Sequence, residues 1–147
     1  MFRPQIVTIL VVALALSLIA GCGETNAPEG RWEGFAETSK WLFAVRLQVD
    51  AGNVIHATAL SVSVDGVSLP RRLELSRKIK ATLAEQWPDA VAGKVDYKGG
   101  IITKANGVAP LFTFDPKTRN MTFHFYAGGR LTERIKLYPV RTFAERG

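Results

Sequence analysis

Few residues in this chain have types and spacings that suit them to chemistry. There is one cysteine, Cys22, and there are two histidines, His56 and His124. A histidine metal site needs further ligands at short spacing, and neither His56 nor His124 has a third histidine or a carboxylate at such a spacing. No metal site and no cofactor are expected. No serine stands in a Gly-x-Ser-x-Gly elbow. Ser61, Ser63 and Asp65 are spaced as alternating surface groups rather than as an arranged triad. The expectation is therefore a protein without catalytic residues, not an enzyme, although carboxylates brought together by folding lie beyond a reading of spacing. The densest charge cluster is basic: Arg71, Arg72, Arg77, Lys78 and Lys80, with only Glu74 opposing. Two readings of it stay open. One is contact with an anionic surface, each cation contributing about 1 kcal/mol. The other is the solvated edge of a strand and a helix, where lysine also blocks unwanted pairing.

The one cysteine sits where it is informative. Arg3 precedes an apolar run from Ile6 to Ala20 whose only polar residues are Thr8 and Ser17. A basic start, a short apolar core and small residues at the end form a secretory signal pattern. The run is short for a membrane span, which takes about 20 apolar residues. Ile19-Ala20-Gly21-Cys22 resembles a bacterial lipobox. The resemblance implies a signal peptide over 1–21 and acylation, palmitate included, of Cys22 as the first mature residue. Two or more acyl chains form a stable anchor, since each buried methylene contributes roughly 0.8 kcal/mol. Gly23 stands where, by the same resemblance to Gram-negative lipoproteins, an aspartate favours inner-membrane retention. Its absence points to the outer membrane, facing the periplasm, or to the outer face of the single membrane in a Gram-positive cell.

Acylation would consume the only thiol, leaving the mature domain with no disulfide and no thiolate metal site. The chain of 147 residues has 19 basic and 13 acidic side chains, and processing removes only Arg3 among them. The remaining length suffices for one domain with a core. A basic exported protein has phospholipid headgroups, lipopolysaccharide phosphates or wall polymers as anionic neighbours; solubility alone is the other explanation of the charge. Nucleic acid does not suit that compartment.

The elements that must position any site are mostly strands. Residues 22–29 read as the modified cysteine and a short polar tether, with a reach from Gly23 of about 25 Å at roughly 3.5 Å per residue. Arg31 to Glu37 reads as a first strand. In Trp41 to Val49, Trp41, Phe43, Val45, Leu47 and Val49 alternate with Leu42, Ala44, Arg46 and Gln48, the period of a half-buried strand. Val54 to Val64 continues with small residues, Asp65-Gly66 reads as a hairpin turn, and Val67 to Leu75 as a returning strand interrupted by Pro70. The period then changes. Leu75, Ile79, Leu83 and Trp87 predict one amphipathic helix over about 76–87, capped by Ser76 and ended by Pro88. Five more strands follow: Lys94 to Lys98, Ile101 to Lys104, Pro110 to Asp115, Asn120 to Tyr126 and Arg130 to Tyr138. Gly99-Gly100, Asn106-Gly107 and Gly128-Gly129 supply the positive φ that tight turns need. The predicted fold is mainly β: a single antiparallel meander, barrel or sandwich, of about seven to nine strands over 30–140 with one helix packed on it. Residues 141–147 read as a frayed polar tail.

Gly30-Arg31-Trp32 at the start of the first strand resembles the lipocalins and their calycin relatives. The resemblance implies that Trp32 plugs the closed end of an up-and-down barrel, with an arginine from a late strand, Arg134, stacked on it. It further implies a lipid or small apolar ligand, with Trp32, Trp41, Phe43, Phe123 and Phe125 contacting the ligand or closing the barrel. The chain is short for that family, and its helix lies mid-chain. An eight-stranded barrel is either filled by side chains or holds one small ligand. The alternative function is a filled barrel whose basic face docks an envelope protein or lipopolysaccharide. A hydrolase inhibitor is a third, less favoured because a basic surface suits a basic lysozyme poorly.

Overall fold

A computed structural model describes residues 26–143; the leader, Cys22 and residues 144–147 lie outside that range. Eight strands form a closed antiparallel barrel in sequence order. They are β1 (Gly30–Glu37), β2 (Trp41–Asp50), β3 (Val54–Ser63), β4 (Ala92–Lys98), β5 (Ile101–Lys104), β6 (Pro110–Phe114), β7 (Met121–Ala127) and β8 (Arg130–Pro139). The long helix among the described residues, α1 (Leu69–Gln86), runs into one 3₁₀ turn at Trp87–Asp89 and joins β3 to β4.

The helix starts earlier than the apolar spacing predicts, and Val67 to Leu75 is not a strand. Asp65-Gly66 turns the chain into α1 rather than into a hairpin: Val67 N donates to Val64 O at 3.0 Å, with Gly66 at φ 74°. The N-cap is Ser68, not Ser76, and Pro70 lies in the first turn. A proline there loses no hydrogen bond, because the first helical N–H groups have no intrahelical partner. Ile79 and Leu83 are buried against Leu42, Ala44 and Val64, with Leu60, Val62, Val67 and Leu75 around them. Each fully buried side chain of this kind contributes about 1.5–3 kcal/mol.

This packing explains why β2 is buried on both faces rather than half-buried. Phe43, Val45, Leu47 and Val49 face the barrel core, while Leu42 and Ala44 lie under α1. Arg46, also on the outer face, pairs with Glu33 directly across the β1–β2 ladder. Its Nε donates to Glu33 Oε2 at 2.7 Å, with both side chains under a tenth exposed. The tail beyond β8 is not wholly frayed: the Phe143 ring lies 4.9 Å from the Arg46 guanidinium and 4.6 Å from the Trp87 ring. At the other end of the domain Ala27 belongs to the core, its N–H donating to Asn53 Oδ1 at 2.7 Å, so the tether ends before that residue.

Two seams close the barrel, and both are short. β8 is registered on β1 only at Trp32↔Pro139 and Glu33↔Tyr138, and β4 on β3 only from Val54 to His56. Both seams lie towards the end marked by Gly30, Asp50 and Pro139. Just above the first, Gly34 lets the strands touch: a Cβ there would fall 2.5 Å from Lys136 O and from Leu137 Cδ2. Towards the opposite end neither seam is registered, while the β1–β2, β2–β3 and β7–β8 ladders continue.

Candidate functional site

The closed end is built round Trp32, which is 1% exposed. Gly30, at φ 152°, allows its ring to pack on the backbone; a Cβ there would sit 3.1 Å from the indole. The indole Nε1 donates to Arg119 O at 2.7 Å, and Phe114 meets the ring edge-on at 6.3 Å. Arg119 holds the left-handed conformation, φ 61°, and its guanidinium stands 5.7 Å from the Phe114 ring. Arg134 does not stack here. It is exposed on the outer face of β8, alternating with buried Ile135 and Leu137 and paired across the ladder with His124. The arginine beside Trp32 comes from the β6–β7 turn, whose Asp115 carboxyl is held below its usual pKa, chiefly by the backbone N–H of Lys117.

The open end gathers Trp41, Phe43 and Phe125. Phe125 lies 5.3 Å from Trp41 and 5.0 Å from Phe43, edge-on to both, and Trp41 and Phe43 are 6.3 Å apart. Phe123 instead stacks with Phe112 at 5.5 Å, deeper in the barrel. Of the five aromatics, Trp41, Phe43 and Phe125 therefore form one cluster, Phe123 lies below it, and Trp32 is at the far end. Across the ladder from Trp41, Phe43, Val45 and Leu47 stand Ser63, Ser61, Ala59 and Ala57. These four small residues share the inner face of β3 yet are exposed, because β4 has left the ladder at His56. The result is an aromatic floor with a low wall of alanine and serine on one side.

The basic cluster divides. The Arg72 guanidinium donates to the carbonyls of Val67, Ser39 and Val64 and reaches Glu37 Oε1 at 3.4 Å, so it ties α1 to the β1–β2 and β3–α1 turns. It is not a free surface cation, which corrects that reading. Arg71 pairs with Glu74 at 2.8 Å, and Lys80 stands 5.0 Å over Phe35, beside a cavity of about 140 Å³ between α1 and the β1–β2 hairpin. Arg77 and Lys78 are exposed with no ion-pair partner among the described residues.

The two histidines serve separate places. His56 Nε2 lies 3.1 Å from Asp50 Oδ2, and its Nδ1 lies 3.4 Å from Ala90 O. His124 is 9% exposed, with Nε2 3.2 Å from Thr113 Oγ1 and Nδ1 buried without a partner. Burial, and secondarily the charge of Arg134, lower its pKa. Among the described residues no three His, Cys, Asp or Glu side chains come together as metal ligands. The buried Glu33–Arg46 pair is the polar feature that spacing missed. Its signal was available in the hairpin register, which places the two residues opposite each other once Thr38 to Lys40 is taken as the turn.

No family model matches this chain, and no curated protein and no solved structure matches it significantly.

Proposed function

We propose that this chain is a non-enzymatic, membrane-anchored lipoprotein of the bacterial envelope, whose barrel receives a slender apolar group at its open end. An acyl chain of a lipid is the group this reading assigns to it. The observation that carries the reading is the Trp41–Phe43–Phe125 cluster, in which Phe43 is buried and Trp41 and Phe125 are half-buried, beside the exposed Ala57, Ala59, Ser61 and Ser63. Aromatic rings beside small side chains offer apolar area, the composition of ligand sites in barrel mouths. The Gly30-x-Trp32 resemblance to lipocalins supports it, as does the strand order of the barrel. The lower barrel is occupied by its own side chains, Leu47, Ile102, Met121 and Leu137 being fully buried, so the group would enter only part of the way. Anchoring rests on the Ile19-Ala20-Gly21-Cys22 resemblance, and the outer membrane on Gly23.

A second reading, docking of an envelope protein or lipopolysaccharide through the basic face, is favoured by the exposed pair Arg77 and Lys78. Arg72 takes no part in it.

The barrel closes between Gly30 and Pro139, so a soluble form beginning at Gly23 keeps the whole domain. Purified from a bacterial periplasm without detergent and extracted for mass spectrometry, it is expected to yield one lipid or comparable hydrophobe per protein, and Phe125→Ser is expected to yield none. An empty, well-folded parent protein contradicts the ligand reading and leaves the docking one.

A further inference from the structure

The chain enters the domain at the closed end of the barrel, close in sequence to Cys22. Ala27 is buried in the core, and its N–H donates to Asn53 Oδ1 at 2.7 Å in the β2–β3 turn. That turn follows Asp50, at the end sealed by Trp32, Phe114 and Arg119. Five residue steps separate Cys22 from Ala27, and they reach at most about 18 Å at roughly 3.6 Å each.

The barrel is taller than that reach. β2 runs ten residues from Trp41 to Asp50, about 30 Å of strand at roughly 3.3 Å per residue. Inclined to the axis by about 40°, as strands of closed barrels are, it rises about 23 Å. The turn from Thr38 to Lys40 lies beyond Trp41 and adds to this height. With the Trp41 end laid on a bilayer, Ala27 would stand farther from it than the tether extends. An acylated Cys22 therefore holds the closed end, or a flank of the barrel, against the membrane.

Charge and one aromatic side chain choose between these. The closed rim exposes Arg31, Lys98, Lys117, Arg119 and Arg141. Lys98 belongs to it because Gly100 O, in the adjoining turn, accepts from Phe114 N, and Arg141 because its carbonyl accepts from Arg31. The opposing acids are Glu29, Asp50 and Asp115. Asp50 is half-buried between Gln48 and His56, and Asp115 accepts from Lys117 N within its own turn. The cations continue from the rim up the outer face of β8 as Lys136, Arg134 and Arg130, with the exposed Tyr138 between them and the rim. Glu133, the only acid of β8, alternates to the other side. The α1 flank is mixed, because Glu74 and Glu85 share its outer face with Arg71, Arg77 and Lys78.

We propose that the closed end, leaning towards β8, is the surface by which the domain rests on its own membrane, an anionic phospholipid bilayer. The rim cations and Lys136 meet headgroup phosphates, and Tyr138 sits at headgroup level, where amphipathic rings are favoured. The Trp41 end is then directed away from the membrane. An acyl chain received there comes from the aqueous side, not from the leaflet that holds Cys22. The proposal rests on the reading of Cys22 as acylated.

The test uses the full chain, processed in a bacterial envelope and inserted into vesicles of phosphatidylethanolamine and phosphatidylglycerol carrying a headgroup spin label. Acylation occupies the only native thiol, so an introduced cysteine takes a fluorophore alone. Thr118→Cys marks the closed rim, Ser39→Cys the opposite end and Lys78→Cys the α1 flank. The Thr118 label is expected to lose most of its emission, and the Ser39 and Lys78 labels almost none. Lys117→Glu with Lys136→Glu is expected to restore emission at Thr118 while the protein stays on the vesicles. With Cys22 acylated by mass spectrometry, quenching at Ser39 or Lys78 equal to that at Thr118 overturns the proposal alone. So does an unquenched Thr118 label, or quenching there that the double charge variant leaves intact. An unmodified Cys22 overturns the anchor reading and the proposal together.

Discussion

At the scale of single residues, several polar side chains hold this barrel together. Glu33 and Arg46 are both buried, and each satisfies the other's charge. Taking one partner away strands the remaining charge in a poorly solvated place, which costs about 3–5 kcal/mol. Glu33→Ala is accordingly expected to lower unfolding stability in denaturant by about 3 kcal/mol, whereas replacing both partners by apolar residues of similar size should cost far less. His124 makes a pH prediction. Its pKa is lowered from 6.5, chiefly by burial and then by Arg134, so the unfolded chain takes up a proton more readily than the folded one. Stability from this group is complete above about pH 6.5 and falls as the pH drops towards the folded-state value. Thermal melts compared at about pH 7 and about pH 5 should show this loss. His124→Phe should flatten that part of the profile, and Arg134→Gln should reduce it. A parent profile unchanged by His124→Phe would contradict the assignment.

At the scale of elements, the seams decide the shape. Gly34 permits β1 to touch β8 just above the Glu33↔Tyr138 pair, where any Cβ would collide with Lys136 O. Gly34→Ala must push the strands apart and is expected to destabilise the domain by about 1–3 kcal/mol, read as a lower midpoint in urea. An unchanged midpoint would mean that the β8–β1 seam adds little. The elements also divide by how far they could be read in advance. β2 was legible because its period of two is strict and its aromatic face unbroken. The hairpins from β4 to β8 were legible because Gly99-Gly100 and Gly128-Gly129 take positive φ in the turns. The start of α1 was not, because Pro70 interrupts a strand pattern and also suits a helix's first turn. Only packing on Leu42 and Ala44 chose between the two. Phe143 escaped notice for a related reason: one aromatic in a polar tail has no period, and its partners Arg46 and Trp87 are distant in sequence.

At the scale of the whole molecule, a barrel that is tight at one end and open at the other organises every functional statement. Trp32, Phe114 and Arg119 seal the end marked by Gly30, while Trp41, Phe43 and Phe125 face the other. That these aromatics serve a barrel was readable from the sequence; which end each occupies was not, because it depends on strand register. The exposed wall of Ala57 to Ser63 was still less readable, since it arises from the place where β4 departs from β3. The most direct test of the account uses Trp41 as its own reporter. The soluble domain is titrated with a long-chain fatty acid brominated along its chain, which quenches only indoles close to it. A ligand at the open end should give quenching that saturates at about one ligand per barrel and is abolished by Trp41→Phe, with Trp32 and Trp87 unaffected. No quenching, or quenching that persists undiminished in Trp41→Phe, would contradict an apolar ligand at the open end.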